Sequence, residues 1–200
     1  MRKREKAYLL LSKLEEMYLN AQTELQNWST PFQFLICIML SAQTTDKQVN
    51  KVTGRLFEIY PDGYTMSLAS PLEIEKFISS INYYHTKARH IQKMSEIITK
   101  EYSGEIPLSL EKLLKLPGVG YKTANVFLND LYQLNLGIAV DTHVKKTALK
   151  YGLTKNTNPD KISKDLEKLY KQEDWYKINR YFVHYGRYDF DINLVLDNNV

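Results

Sequence analysis

From Phe32 to Leu40 every residue except Gln33 is apolar. A helix over this stretch is apolar on nearly every side, so other elements have to surround it. Ser29-Thr30-Pro31 supplies its start, a capping residue followed by proline in the first turn. The chain must therefore build a core around one central helix.

The surrounding sequence has helical periodicity almost throughout. Tyr8, Leu11, Leu14 and Tyr18 mark an amphipathic first helix. Val49, Val52, Leu56 and Tyr60 keep the same spacing until Pro61-Asp62-Gly63 breaks it. Leu72, Ile74, Phe77 and Ile78 give a short helix. Ala88, Ile91, Ser95, Ile98 and Tyr102 form one stripe. Lys87, Arg89 and Lys93 fall largely off that stripe, where Lys87 and Arg89 are expected to be solvated or to touch phosphates. Gly104 and Pro107 separate this helix from Leu110, Leu113, Leu114 and Leu116. Beyond Pro117-Gly118-Val119-Gly120, the spacing of Ala124, Phe127, Leu128 and Leu131 gives another helix, and three more start near Asp141, Pro159 and Trp175. No segment alternates as a strand would, and no repeat is visible. The expected fold class is all-α.

At 200 residues the chain can hold one domain or two small ones. A formal charge of +4 suits a phosphate-bearing partner without requiring one. One cysteine, Cys37, excludes an internal disulfide framework. No apolar run approaches the roughly 20 residues that span a bilayer. Met1-Arg2-Lys3-Arg4 resembles the basic start of an export signal, but the apolar stretch from Ala7 to Leu11 ends at Ser12-Lys13, which is too short. A cytoplasmic or nuclear protein is expected.

Two helical patterns meet at Leu116-Pro117-Gly118-Val119-Gly120-Tyr121-Lys122-Thr123-Ala124. A short turn with two glycines lets a backbone take positive φ and approach another molecule closely. The N–H groups that open the second helix, at its positive dipole end, suit a phosphate. This pattern looks like a helix-hairpin-helix, which grips a nucleic-acid backbone without reading its bases; the bland alternative is a tight helix corner. Similar hairpins, lysine included, serve polymerases, ligases and junction-binding proteins as plain binding elements. Lys122 is nonetheless oddly placed, since a cation in a helix's first turn opposes the dipole by roughly 0.3–1 kcal/mol. That field, with burial, favours the neutral amine, the form that attacks as a nucleophile.

Nineteen positions beyond Lys122 stands Val140-Asp141-Thr142-His143, ahead of the helical spacing of Val144, Ala148 and Tyr151. Asp141 or Thr142 caps that helix on the simplest reading, and capping leaves room for a second use of the carboxylate. Upstream, Leu40-Ser41-Ala42-Gln43-Thr44-Thr45-Asp46 ends the buried helix in small and polar residues.

Taken in order, LSAQTTD, LPGVGYKTANV and VDTHV closely resemble the endonuclease III family of helix-hairpin-helix DNA glycosylases, with similarity from about Thr30 to Tyr188. The resemblance implies two helical domains with the DNA cleft between them. One is a six-helix bundle over 24–134 that contains the hairpin; the other joins 1–23 to 135–200. It implies that Lys122 is the catalytic lysine, Asp141 the catalytic aspartate, and Gln43 the side chain that fills the gap left by a flipped nucleotide. Gly118, Val119, Gly120, Thr123 and, beside Asp141, His143 are the further DNA-binding candidates. His184 and Arg187 are lesser ones, with structural roles at least as well suited to them. The implied activity is removal of oxidised pyrimidines from double-stranded DNA and cleavage of the abasic strand. This chemistry needs no metal or nucleotide, and a monomer is the default expectation.

Two departures qualify the resemblance. Family members commonly end in four cysteines that hold an iron–sulfur cluster, whereas here Phe190 follows Tyr185-Gly186-Arg187-Tyr188 where the first cysteine is expected. No cluster is expected, with packing by Tyr181, Phe182 and Phe190 in its place. Where the family usually has a Gly-Leu pair whose leucine wedges into the duplex, this chain has Asn82-Tyr83. Tyr83 is then either the wedge or an ordinary surface aromatic. A tyrosine pair also occurs in adenine-excising relatives, but those carry a glutamate where Cys37 stands and lack the lysine. A non-catalytic binding module and a monofunctional glycosylase for another base are the competing readings.

Overall fold

The computed structural model describes residues 2–196, and every regular element among them is helical. Met1 and 197–200, at the two ends of the expected 1–23 plus 135–200 domain, lie outside the described residues. In chain order the α-helices are α1 (Lys3–Met17), α2 (Pro31–Ser41), α3 (Asp46–Ile59), α4 (Gly63–Leu68), α5 (Pro71–Ile78), α6 (Tyr84–Glu101), α7 (Leu110–Leu114), α8 (Tyr121–Tyr132), α9 (Thr142–Lys150), α10 (Pro159–Leu169) and α11 (Trp175–Tyr188). The chain divides into two compact units, Glu24–Phe127 and Met1–Thr23 with Leu128–Val200, so the division falls inside α8.

In the first unit, α2 is buried from Phe32 to Leu40. Its start follows from side-chain chemistry: Thr30 Oγ1 accepts from the Gln33 N–H at 3.2 Å and Pro31 takes the first helical position. Gln33, the polar interruption, is buried but satisfied. Its Nε2 donates to the Pro61 carbonyl at 2.9 Å, and its Oε1 accepts from the Ser29 N–H at 2.8 Å. Fully burying each of the aliphatic side chains around it stabilises the unit by about 1.5–3 kcal/mol before entropy is counted.

One helix escaped the sequence reading. Pro61-Asp62-Gly63 opens α4 instead of a loop: Asp62 Oδ1 accepts from the Thr65 N–H at 2.8 Å, and Gly63 lies against the Phe32 ring. The breaker residues are themselves a good N-terminus, and α4 then packs on α6.

In the second unit α1, α9 and α11 pack together around Leu10, Leu14, Val144, Ala148, Ile178, Phe182 and Tyr185. A Cβ on Gly186 would lie 2.9 Å from His143 Cβ and 3.0 Å from the His143 carbonyl oxygen, so α9 and α11 meet at a distance only glycine allows. Asn158 caps α10, and the Tyr170 hydroxyl ties it to α1 by donating to the Ala7 carbonyl at 3.0 Å.

Candidate active site and nucleic-acid interface

The two hairpin glycines answer different demands. Gly118 has φ +78°, and a Cβ there would meet Met39 Cε at 2.7 Å and His90 Cβ at 3.0 Å. The fold itself requires glycine at this position. Gly120 has an ordinary φ, and nothing among the described residues comes within 4 Å of where its Cβ would stand. Between them Val119 is 5% exposed, and its N–H donates to the Leu116 carbonyl at 3.1 Å. Val119 therefore points into the core, and only its backbone lies along the turn.

The turn delivers the chain into α8, with Lys122 second in that helix and Thr123 after it. Lys122 is exposed, so the burial expected to favour its neutral form is not there. Asn125, one turn on, is fully buried and donates back to the Tyr121 carbonyl at 2.9 Å.

Asp141 is the N-cap of α9: its Oδ1 accepts from the backbone N–H groups of His143 and Val144, both at 2.9 Å. The two N–H donors of the cap orient the carboxylate. His143 is half-buried against Gly186, and its buried Nδ1 finds no hydrogen-bond partner among the described residues. His184 Nδ1 lies 2.9 Å from the Arg180 carbonyl, a bond within α11, while Arg187 is exposed.

A second assembly lies entirely in the first unit. After α2 the chain turns through Ala42 into Gln43, whose φ is +57°, and before α6 it turns through Asn82 into Tyr83, whose φ is +60°. Both residues occupy the left-handed region, uncommon outside glycine. Gln43 is exposed and Tyr83 is 67% exposed. Asn82 Nδ2 donates to the Gln43 carbonyl, and Gln48 Nε2 donates to Ser80 Oγ at 2.6 Å. The structure thus brings Gln43 and Tyr83 together on two joined turns.

Lys87 corrects the sequence reading. It is 9% exposed, and its Nζ donates to the Leu40 carbonyl at 2.8 Å and the Ala42 carbonyl at 2.7 Å, so it is neither solvated nor turned to a phosphate. Burial pushes its ammonium down to about 8. The two carbonyls and the negative end of α2 offset part of that cost. Arg89 is exposed as expected, and Lys93 pairs with Glu96 at 2.8 Å.

No group of three or more metal-ligating side chains gathers among the described residues. The single cysteine, Cys37, is buried in α2, and burial pushes its thiol up to about 12. Within α11, Tyr181 and Phe182 lie in the core, and Phe190, just beyond the helix, packs against it, as expected. The segment is also held by polar contacts that were not foreseen. Lys150 Nζ donates to the Tyr185 hydroxyl at 2.8 Å, the Ile192 carbonyl at 3.1 Å and the Phe190 carbonyl, and it sits 4.7 Å from the Phe190 ring centre. The Tyr151 and Tyr185 hydroxyls lie 2.6 Å apart, and the Leu194 N–H donates to Tyr151 at 3.1 Å.

A helix-hairpin-helix within an all-helical chain, followed by an aspartate-capped helix, suits a protein that grips a nucleic-acid backbone. The chain belongs to the HhH-GPD superfamily of base excision DNA repair proteins, whose family model matches residues 36–172. Within it, the similarity runs to endonuclease III. The Synechocystis endonuclease III is 42% identical over 185 residues, 92% of this chain and 84% of that protein. The Bacillus subtilis enzyme is 40% identical over 182 residues (89% and 81%), and the Escherichia coli enzyme 34% over 179 (90% and 84%). Among solved structures, a trapped endonuclease III–DNA covalent intermediate superposes with a TM-score of 0.87 at 38% identity, covering 94% of this chain and 87% of that one. A thermostable thymine-DNA glycosylase shares the fold at a TM-score of 0.79 and 19% identity, covering 92% and 87%.

Proposed function

We propose that this protein is a bifunctional DNA glycosylase and abasic-site lyase of base excision repair, acting on oxidised pyrimidines in double-stranded DNA. The observation that carries the reading is Lys122 in the first turn of the helix that the hairpin opens. Gly118, Gly120 and Thr123, with the backbone of Val119, grip a phosphate at that helix end. The flipped nucleotide costs a few kcal/mol to extrude, less when damage has weakened its stacking. Gln43 fills the gap it leaves, and Tyr83 wedges beside it.

The neutral amine of Lys122 attacks C1′ of the deoxyribose. The C1′–N bond breaks, its electron pair leaves with the base, and the base takes up a proton. Asp141, oriented by its cap, stabilises the positive charge that develops on the sugar and serves the proton transfers. Opening of the sugar ring leaves an iminium at C1′, which acidifies the C2′ proton. Its removal breaks the C3′–O3′ bond and nicks the strand on the 3′ side. His143 packs at the base of the same cap and orients the Asp141 segment.

We also propose that the chain folds and acts as a monomer without an iron–sulfur cluster, in the compartment that holds the genome. Four thiolates are needed for the common clusters; this sequence has one cysteine, and Phe190 and the Lys150 contacts lie where the cluster loop would begin. No helix among the described residues is long and apolar enough to cross a membrane.

Borohydride trapping on duplex DNA containing thymine glycol tests the reading. The wild-type protein should give a covalent adduct and the Lys122→Gln protein none. Measurable DNA binding with no adduct on thymine glycol or on a plain abasic site would replace the enzyme by a non-catalytic binding module. Base release without an adduct would make it a monofunctional glycosylase.

A further inference from the structure

We infer that Lys87 and Asn82 are positioning residues that fix the backbone of Gln43, so that its side chain is preset for the space left by an extruded nucleotide. The inference rests on the gap-filling role proposed above for Gln43.

The argument begins at the end of α2. The last carbonyls of a helix have no partner within it, and here two carbonyls at that end, those of Leu40 and Ala42, are taken by one buried ammonium reached from α6. The carbonyls on the two sides of the Gln43 Cα are then held separately. The Ala42 carbonyl, in the peptide before Gln43, accepts from Lys87, and the Gln43 carbonyl, in the peptide after it, accepts from Asn82. The first peptide plane sets φ of Gln43 and the second sets ψ, so holding both holds a conformation that a residue with a Cβ rarely adopts. Gln48 and Ser80 tie the same two turns a second time.

The choice of lysine supports this. A methionine would fill the same volume without the desolvation that pushes this ammonium down to about 8. The cation is kept for what it donates to. Since both of these acceptors are backbone carbonyls, Lys87 acts on DNA only through the turn it holds. A floppy Gln43 would have to be ordered during binding, at a cost in affinity paid only where there is a gap to fill. Preorganisation therefore favours a flipped site over intact duplex.

The test is the ratio of affinities for a duplex with a tetrahydrofuran abasic analogue and for the same duplex undamaged, measured for the wild type and for Gln43→Ala, Lys87→Met, Asn82→Ala and Asn82→Asp. Each variant should lower that ratio by about tenfold, the size expected from one such hydrogen bond. The Lys87→Met/Gln43→Ala double variant should fall no further than Gln43→Ala alone. A ratio kept by Lys87→Met and Asn82→Ala but lost by Gln43→Ala would overturn the positioning roles and leave the Gln43 reading standing. A ratio kept by Gln43→Ala would sink the gap-filling reading itself. Additive losses in the double variant would show that Lys87 acts by another route. If Lys87→Met does not fold, the exposed Asn82 variants, with Asn82→Ala/Gln43→Ala as the double, decide the question.

Discussion

Asp141 caps a helix and, in the proposed chemistry, also supplies a charge, two uses that the sequence left compatible. Its Oδ1 caps α9, and the proposed chemistry needs the charge of the same carboxylate. The two are separable by substitution. Asp141→Asn keeps an oxygen for the cap and should unfold in urea within about 0.5 kcal/mol of the wild type. Asp141→Ala loses the cap and should cost about 0.5–2 kcal/mol. Both should lose base excision on thymine glycol by about 10²-fold or more. An Asn variant that keeps full activity would reduce Asp141 to a cap. Asp141 was legible because capping is local, read within three residues of sequence. Lys87 was not. It looks like any lysine on a helix face, and its partners, Leu40 and Ala42, lie 47 and 45 positions away.

At the scale of elements the hairpin shows how the fold and the proposed DNA contact divide one motif. Gly118 is required by its left-handed backbone and crowded by His90 and Met39, whereas nothing among the described residues requires glycine at 120. Gly118→Ala should therefore destabilise the protein by about 1–3 kcal/mol through its left-handed backbone and the clash. Gly120→Ala should leave the urea midpoint unchanged or slightly raised, yet weaken DNA binding, because its Cβ would stand where a phosphate approaches. Equal DNA affinity for Gly120→Ala and wild type would place the phosphate elsewhere. The sequence marked both glycines alike, since spacing shows that a turn is tight without showing which side is crowded. The same limit hid α4: Pro61-Asp62-Gly63 breaks one helix and caps the next, and periodicity records only the break.

For the whole molecule, the question is what holds the segment after α11. Lys150, Tyr185 and Tyr151 draw together the Phe190 and Ile192 carbonyls and the Leu194 N–H, contacts spanning about 40 residues of chain. Lys150→Met keeps the stem against the Phe190 ring but leaves those carbonyls without their cation. It should lower stability by about 1–3 kcal/mol and open 189–194 to proteolysis before global unfolding. Iron in pure wild-type protein should stay far below stoichiometric. Iron at four atoms per chain, or a Lys150→Met protein as resistant to protease as the wild type, would overturn this account of the segment.

The sequence by itself determined the all-helical class, the central apolar helix, the position of the hairpin, the capped helix after Asp141 and the shortage of thiolates. All of these depend on residue type and on neighbours within a turn or two. The tertiary structure decided that Val119 faces inward, that Gly186 is set by the approach of α9 to α11, that Lys87 is spent on the end of α2, and that Gln43 and Tyr83 share joined turns. Each of these depends on which distant segment lies within hydrogen-bonding or van der Waals reach. Only packing of the whole chain specifies that, because charge and volume at one position are compatible with many partners until the fold selects one.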